Sequence, residues 1–170
     1  CTGKMTKQID SFQGQIKEYT GTLVLGSTTP SFDLETGINE SFSTSHITQD
    51  LIHQTTKQFI GEIAQVPPVF SALKQDGKRL YQFARAGEEV EIKPRNVTIQ
   101  AFEITRIDEL NVEFRIVCSK GTYIRSLAND FGKALQSGAH LSALRRTKIG
   151  DFHVDNSVSV ETFIKNLASE

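Results

Sequence analysis

Cys118-Ser-Lys-Gly-Thr-Tyr-Ile-Arg125 is the stretch on which the fold turns. Before it, Val112, Phe114, Ile116 and Cys118 alternate with polar residues, the period of a half-buried strand. After it, Ile124, Leu127, Ala128, Phe131 and Leu135 recur at helical spacing. A strand therefore hands over to a helix through Ser119-Lys-Gly-Thr122. Lys120, Tyr123 and Arg125 fall at that junction, where the free N–H groups of a helix start favour anions. A flat ring beside a guanidinium suits a nucleobase or a phosphate. The same residues also suit a Ser/Thr-capped helix with a solvated lysine and a structural ion pair at Arg125, and the segment alone does not choose between the two.

Working outward on either side, Val97–Ile107 and Asn111–Ser119 read as adjacent antiparallel strands because only a short Asp-Glu-Leu link separates them. Ile16–Gly26 alternates as a strand, and the turn-rich Gly26–Gly37 is a loop. Thr48 is placed to cap a helix running to about Ile63, with Pro67-Pro68 as its stop. A second helix is expected from Gly77 to Ala86 and a third from Thr122 to Leu135. A short helix or turn is expected around Leu141–Arg145, a strand over Thr147–Val154, and a last helix capped by Ser159. The sum is an α+β chain on a mainly antiparallel, mixed sheet flanked by helices.

At 170 residues the chain fits one domain, and 38% hydrophobic with 23% charged residues suits a globule with a modest core. Its apolar runs are far too short to span a bilayer, and no secretory pattern opens it. Two cysteines give no disulfide framework and four scattered histidines give no metal-ligand spacing, so a cytoplasmic, metal-free protein is expected. The net charge of −1 argues against indiscriminate nucleic-acid binding. The charge is nevertheless segregated: Lys74–Arg95 holds six basic and four acidic residues, and Glu113–Lys148 seven basic and two acidic. One basic face would produce that pattern.

Four blocks, in order and spread over nearly the whole chain, carry a family resemblance. They are Lys17-Glu-Tyr19; Val66-Pro-Pro-Val-Phe-Ser-Ala-Leu-Lys-Gln-Asp-Gly-Lys-Arg-Leu-Tyr-Gln-Phe-Ala-Arg-Ala-Gly87; Cys118-Ser-Lys-Gly-Thr-Tyr-Ile-Arg-Ser-Leu127; and Gly138-Ala-His-Leu-Ser-Ala-Leu-Arg-Arg146. Together they resemble the bacterial tRNA pseudouridine synthases that act on uridine-55 of the T loop. The resemblance implies a pseudouridine synthase-like catalytic domain across 1–170, with 67–95 a thumb-like RNA-binding insertion. It implies a monomer that isomerises a uridine of tRNA without cofactor or metal and has no membrane association. The family's nucleophile is an aspartate in a Gly-Thr-Leu-Asp-Pro-type motif upstream of a Cys-Thr-Gly-like segment, which here opens the chain. Asp10, Asp33, Asp50, Asp76, Asp108, Asp130, Asp151 and Asp155 stand in other contexts. The chain is thus expected to be a partial, inactive catalytic domain.

Carried over residue by residue, the resemblance makes Tyr19 the ring that packs on the target base and takes part in proton removal, a role requiring a perturbed phenol. Tyr123 would line the uridine pocket and Leu144 would contact the base. Arg125 would pair with the nucleophilic aspartate by a bidentate bond, and without that aspartate it is expected to lack a partner. Asp33 matches a loop near the family's active site, but loop carboxylates are commonly turn residues, so it receives no catalytic role. Lys74, Lys78, Arg79, Arg85 and Lys120 would meet tRNA phosphates, with Phe70 and Tyr81 as stacking surface. A second class of function, a non-catalytic tRNA-binding module or tRNA-folding factor, would use the same surface. A small domain that binds no RNA is the third.

Overall fold

The computed structural model describes residues 3–75, 77–88 and 90–167; Cys1 and Asp76, both weighed above, lie outside them. The central sheet is built from β1 (Lys17–Leu25), β2 (Gly61–Gln65), β3 (Arg95–Asp108), β4 (Asn111–Cys118), β5 (Ala139–Ile149) and β6 (Phe152–His153). Their spatial order is β6-β5-β1-β4-β3-β2, and every ladder is antiparallel. The helices are α1 (Ile9–Gly14), α2 (Gln49–Thr56), α3 (Leu80–Ala86), α4 (Ile124–Ala134) and α5 (Val160–Leu167). None of the helices described is long and apolar enough to cross a membrane.

The core lies where the alternating faces of β1, β3 and β4 meet the apolar stripe of α4. Leu23, Leu25, Ile99, Phe114 and Ile116 are buried against Leu127, Phe131 and Leu135. Phe102 sits at the centre of an aromatic cluster, its ring 5.2 Å from that of Phe131 and 6.2 Å from those of Phe59 and Phe114. Such tilted and edge-on pairs add to the gain from area buried. Gly21 lets the central strands close up. A Cβ there would stand 2.3 Å from the Ala143 carbonyl oxygen and 2.7 Å from Cζ of Phe114.

Three expectations need correction. The helix begun by Thr48, whose hydroxyl accepts from Leu51 N–H at 3.2 Å, stops at Thr56 rather than Ile63. A short 3-10 turn follows, Gly61 takes a φ of 98°, and Gly61–Gln65 becomes the edge strand β2 paired with β3. A positive φ is cheap for glycine and lets the chain turn into the strand. The helix expected from Gly77 starts at Leu80, because Lys74–Gln75 and Lys78–Arg79 first pair as a tight hairpin. The short helix or turn around Leu141–Arg145 is replaced by β5, which runs unbroken from Ala139 to Ile149, and the strand expected over Thr147–Val154 is split between the end of β5 and β6. Leu141 and Leu144 mimic helical spacing, but nine register partners along β1 outweigh that local preference.

Candidate active site

The site forms where β2 and a loop close over the start of α4. No side chain of the Ser119–Thr122 junction caps α4. Instead the buried Gln65 reaches across: its carbonyl oxygen accepts from Tyr123 N–H at 2.8 Å, and its amide donates to the Tyr123 carbonyl at 3.1 Å. The Ser126 hydroxyl donates to the Val66 carbonyl at 2.8 Å. Thr122, one of the expected cap residues, donates to the Ser119 carbonyl instead. The helix start is thereby fixed by the strand that the sequence had folded into a helix.

That anchoring aims Arg125 at the loop after β1. Its Nη1 lies 3.1 Å from Oδ2 of Asp33 and donates to the Ser31 carbonyl at 3.3 Å, while Nη2 donates to the Phe70 carbonyl at 2.8 Å. Arg125 therefore has a partner, contrary to expectation, and the partner is Asp33. Asp33 is also the turn residue it was taken for, since its Oδ1 accepts from Glu35 N–H at 3.0 Å. The loop that presents it is over-determined. Thr29 and Ser31 hydroxyls donate to the Asp33 carbonyl, Phe32 is held at a φ of 63°, and Leu141 N–H of β5 donates to the Phe32 carbonyl at 2.9 Å. A bulky residue held in the left-handed region persists only under such constraint, and strain of this kind clusters at functional sites.

Asp33, Arg125, Leu141 and Leu144 line one hollow of about 480 Å³. Leu144 is 45% exposed, an apolar surface facing open space rather than core. Tyr19 does not line that hollow. In the β1–β5 register it stands opposite Arg146, and Leu144 stands opposite Gly21, so Tyr19 and Leu144 are diagonal neighbours. Burial of the half-buried Tyr19 phenol, offset only in part by the neighbouring Arg146, pushes its titration above the ordinary tyrosine value. That direction keeps the proton on and favours packing over acting as a base. Tyr123 is half-buried and enters the site through its backbone bonds to Gln65.

Lys74, Lys78, Arg79 and Arg85 are all exposed between β2 and β3, and Lys120 is exposed on the turn before α4. Two of these cations already cover rings: Lys78 Nζ lies 5.6 Å from the centre of Phe83, and the Arg85 guanidinium 5.3 Å from that of Tyr81. Arg85 also approaches Glu35 at 3.8 Å, so the insertion touches the Asp33 loop.

Residues 1–124 match the profile of the TruB family pseudouridylate synthase N-terminal domain, and residues 125–170 that of the tRNA pseudouridylate synthase B C-terminal domain. The chain belongs to the TruB family of pseudouridylate synthases. It is 62% identical over 167 residues to tRNA pseudouridine synthase B of Flavobacterium johnsoniae, covering 98% of this chain and 73% of that protein. It is 47% identical to tRNA pseudouridine synthase B of Chloroherpeton thalassium, covering 98% of this chain and 70% of that one. Among solved structures it resembles a chain of a Cbf5–Nop10–Gar1 complex, with a TM-score of 0.71 at 28% identity, over 97% of this chain and 40% of the other. A chain of an H/ACA ribonucleoprotein bound to a substrate RNA containing 2′-deoxyuridine follows, with a TM-score of 0.66 at 25% identity, over all of this chain and 42% of the other. The α+β architecture is thus the TruB one. Gln65 and Asp33 are the two site residues whose partners the sequence did not reveal. Asp33 lies in the loop singled out by the sequence; Gln65, a lone polar residue between Ile63-Ala64 and Val66-Pro-Pro, gives no signal.

Proposed function

We propose that this chain is the sheet and thumb of a tRNA pseudouridine synthase that isomerises uridine-55 in the T loop. In this reading Tyr19 packs on the extruded base, Leu144 and Tyr123 bound its pocket, and Arg125 orients an attacking carboxylate supplied by the upstream motif. Residues 67–95 act as a thumb, with Lys74, Lys78, Arg79 and Arg85 meeting phosphates beside Lys120. Extruding the uridine costs a few kcal/mol, which stacking and hydrogen bonds in the pocket offset.

The observation that carries the proposal is the state of Arg125. A guanidinium has five N–H donors. Two hydrogen bonds, to the Ser31 and Phe70 carbonyls, and the ion pair with Asp33 leave Nε–H and one Nη2 hydrogen without a partner among the described residues. The group is therefore fixed in place yet able to receive a second carboxylate. The test is tritium release from uridine-labelled T stem-loop RNA, using the protein extended upstream through the aspartate motif. Turnover is expected from the extended protein and not from the 170-residue chain alone, and Arg125→Ala should reduce it strongly. Unreduced rates in that variant would remove Arg125 from the site.

A further inference from the structure

A second and larger hollow, of about 820 Å³, opens on the far side of Tyr19, between α1 and the ends of β1, β3 and β5. Its wall carries four cations, Lys17, Arg95, Lys120 and Arg146, against one carboxylate, Asp10. None of the four makes an ion pair among the described residues, although Glu18, Glu103 and Glu113 nearby are all engaged by arginines. Lys17 is buried, with Nζ held by the Gln13 and Gln15 carbonyls that close α1. Burial first, then the charges of Arg146 and Lys120, lowers its titration from the ordinary lysine value. Four like charges are thus set against a single carboxylate, none of them in an ion pair among the described residues, an arrangement that an anion relieves.

We infer that Lys17, Lys120 and Arg146 form a seat for an RNA backbone phosphate next to the extruded nucleotide. Arg146 joins this seat to the base site, because it lines the hollow and also stands opposite Tyr19 in the ladder. Lys120 reaches the hollow from the turn that leads directly into Tyr123 and Arg125. A phosphate held there locks the sugar of the target nucleotide against the Tyr19 ring. Lys17 sets the local field, while the exposed Lys120 and Arg146 make the contact. The inference rests on the proposed RNA substrate and adds to it a contact independent of the thumb.

The experiment uses the full chain and T stem-loop RNAs carrying one neutral methylphosphonate linkage, moved through the loop position by position. With the unaltered protein, one or two linkages flanking the target uridine should weaken binding about 10- to 100-fold, the range of one charge-assisted contact. Lys120→Ala and Arg146→Gln should bind the natural RNA less tightly and become indifferent to those same linkages. Lys78→Ala/Arg79→Ala should bind weakly yet remain sensitive to them. Both test residues are exposed, and Lys17 is left in place because it closes α1. Equal linkage sensitivity in Arg146→Gln and the unaltered protein would overturn the seat while leaving the thumb intact. Failure of the unaltered protein to bind any of these RNAs would instead overturn the proposed substrate itself.

Discussion

Replacing Arg125 and Asp33, singly and together, tests the clamp at the heart of the site. Their side chains are 21% and 25% exposed, between a surface pair, which contributes little, and a buried one, whose disruption is severe. Arg125→Ala also strips donors from the Ser31 and Phe70 carbonyls, so we expect a loss of about 2–4 kcal/mol. Asp33→Ala should cost about 1–2 kcal/mol, since the guanidinium keeps its two carbonyls. The double variant should be less unstable than the sum of the singles, with a coupling of about 1–2 kcal/mol. Urea unfolding of the four proteins, monitored by circular dichroism with the denaturant slope checked for constancy, gives these values. Arg125→Lys should recover less than half of the loss, because an ammonium cannot reach three acceptors in the guanidinium's fixed plane. Additive single effects, within about 0.5 kcal/mol, would show that the contact does not organise the site.

Gln65→Leu leaves the Tyr123 N–H without its partner, although the carbonyl keeps the Leu127 N–H, and should destabilise by about 1–3 kcal/mol with faster amide exchange at Tyr123. Gly21→Ala pushes a methyl into the Ala143 carbonyl and should cost about 1–3 kcal/mol by thermal denaturation, as overpacking does. Glu18 is held below the ordinary carboxylate value, first by the Thr147 hydroxyl and also by Arg115, with burial opposing. Its stabilisation is therefore full above the unfolded carboxyl value of about 4.3 and is lost as pH falls through the lower folded value, so Glu18→Gln should flatten the acid side of the stability profile. Lys78→Ala/Arg79→Ala should weaken T stem-loop binding and lower the salt slope by about one to two phosphate contacts in a filter-binding titration.

Much of the fold was legible because its central strands carry one buried face. Val112, Phe114, Ile116 and Cys118 announce β4 by alternation, and the step to Ile124 and Leu127 announces α4. The errors fell where a local pattern and a long-range ladder disagree. Leu141, Leu144 and Arg145 have helical spacing, but the edge of β1 was free to take them as a strand. The stretch from Lys57 to Gln65 is polar enough for either structure, and only the backbone at Gly61 decides it. That single displacement hid Gln65, so the cap of α4 was sought among Ser119 and Thr122, its neighbours in sequence. At the site the residue types were readable, but their pairings were not. Asp33 and Arg125 are 92 positions apart, and no periodicity reports a contact between a loop and a helix start.

The geometry also constrains how the parts act together. Arg125 is reached from the loop by Asp33 and from the segment after β2 by the Phe70 carbonyl, so movement of either alters the same guanidinium. The exposed Arg85–Glu35 contact joins those two segments directly, but at 3.8 Å it is too weak to hold them against a phosphate competing for Arg85. Separating Arg85 from Glu35 would leave the partly buried Arg125–Asp33 pair in place. On the other side of the sheet edge, Tyr19 and Arg146 are cross-strand partners on rigid β1 and β5. Tyr19, Leu144 and Arg146 thus sit on strands fixed by the core, whereas Lys74, Lys78 and Arg79 sit on a hairpin, Arg85 on α3 and Lys120 on a turn. On the function proposed above, an RNA loop would meet exposed cations of the hairpin, α3 and the turn while its base enters a site built on the two central strands.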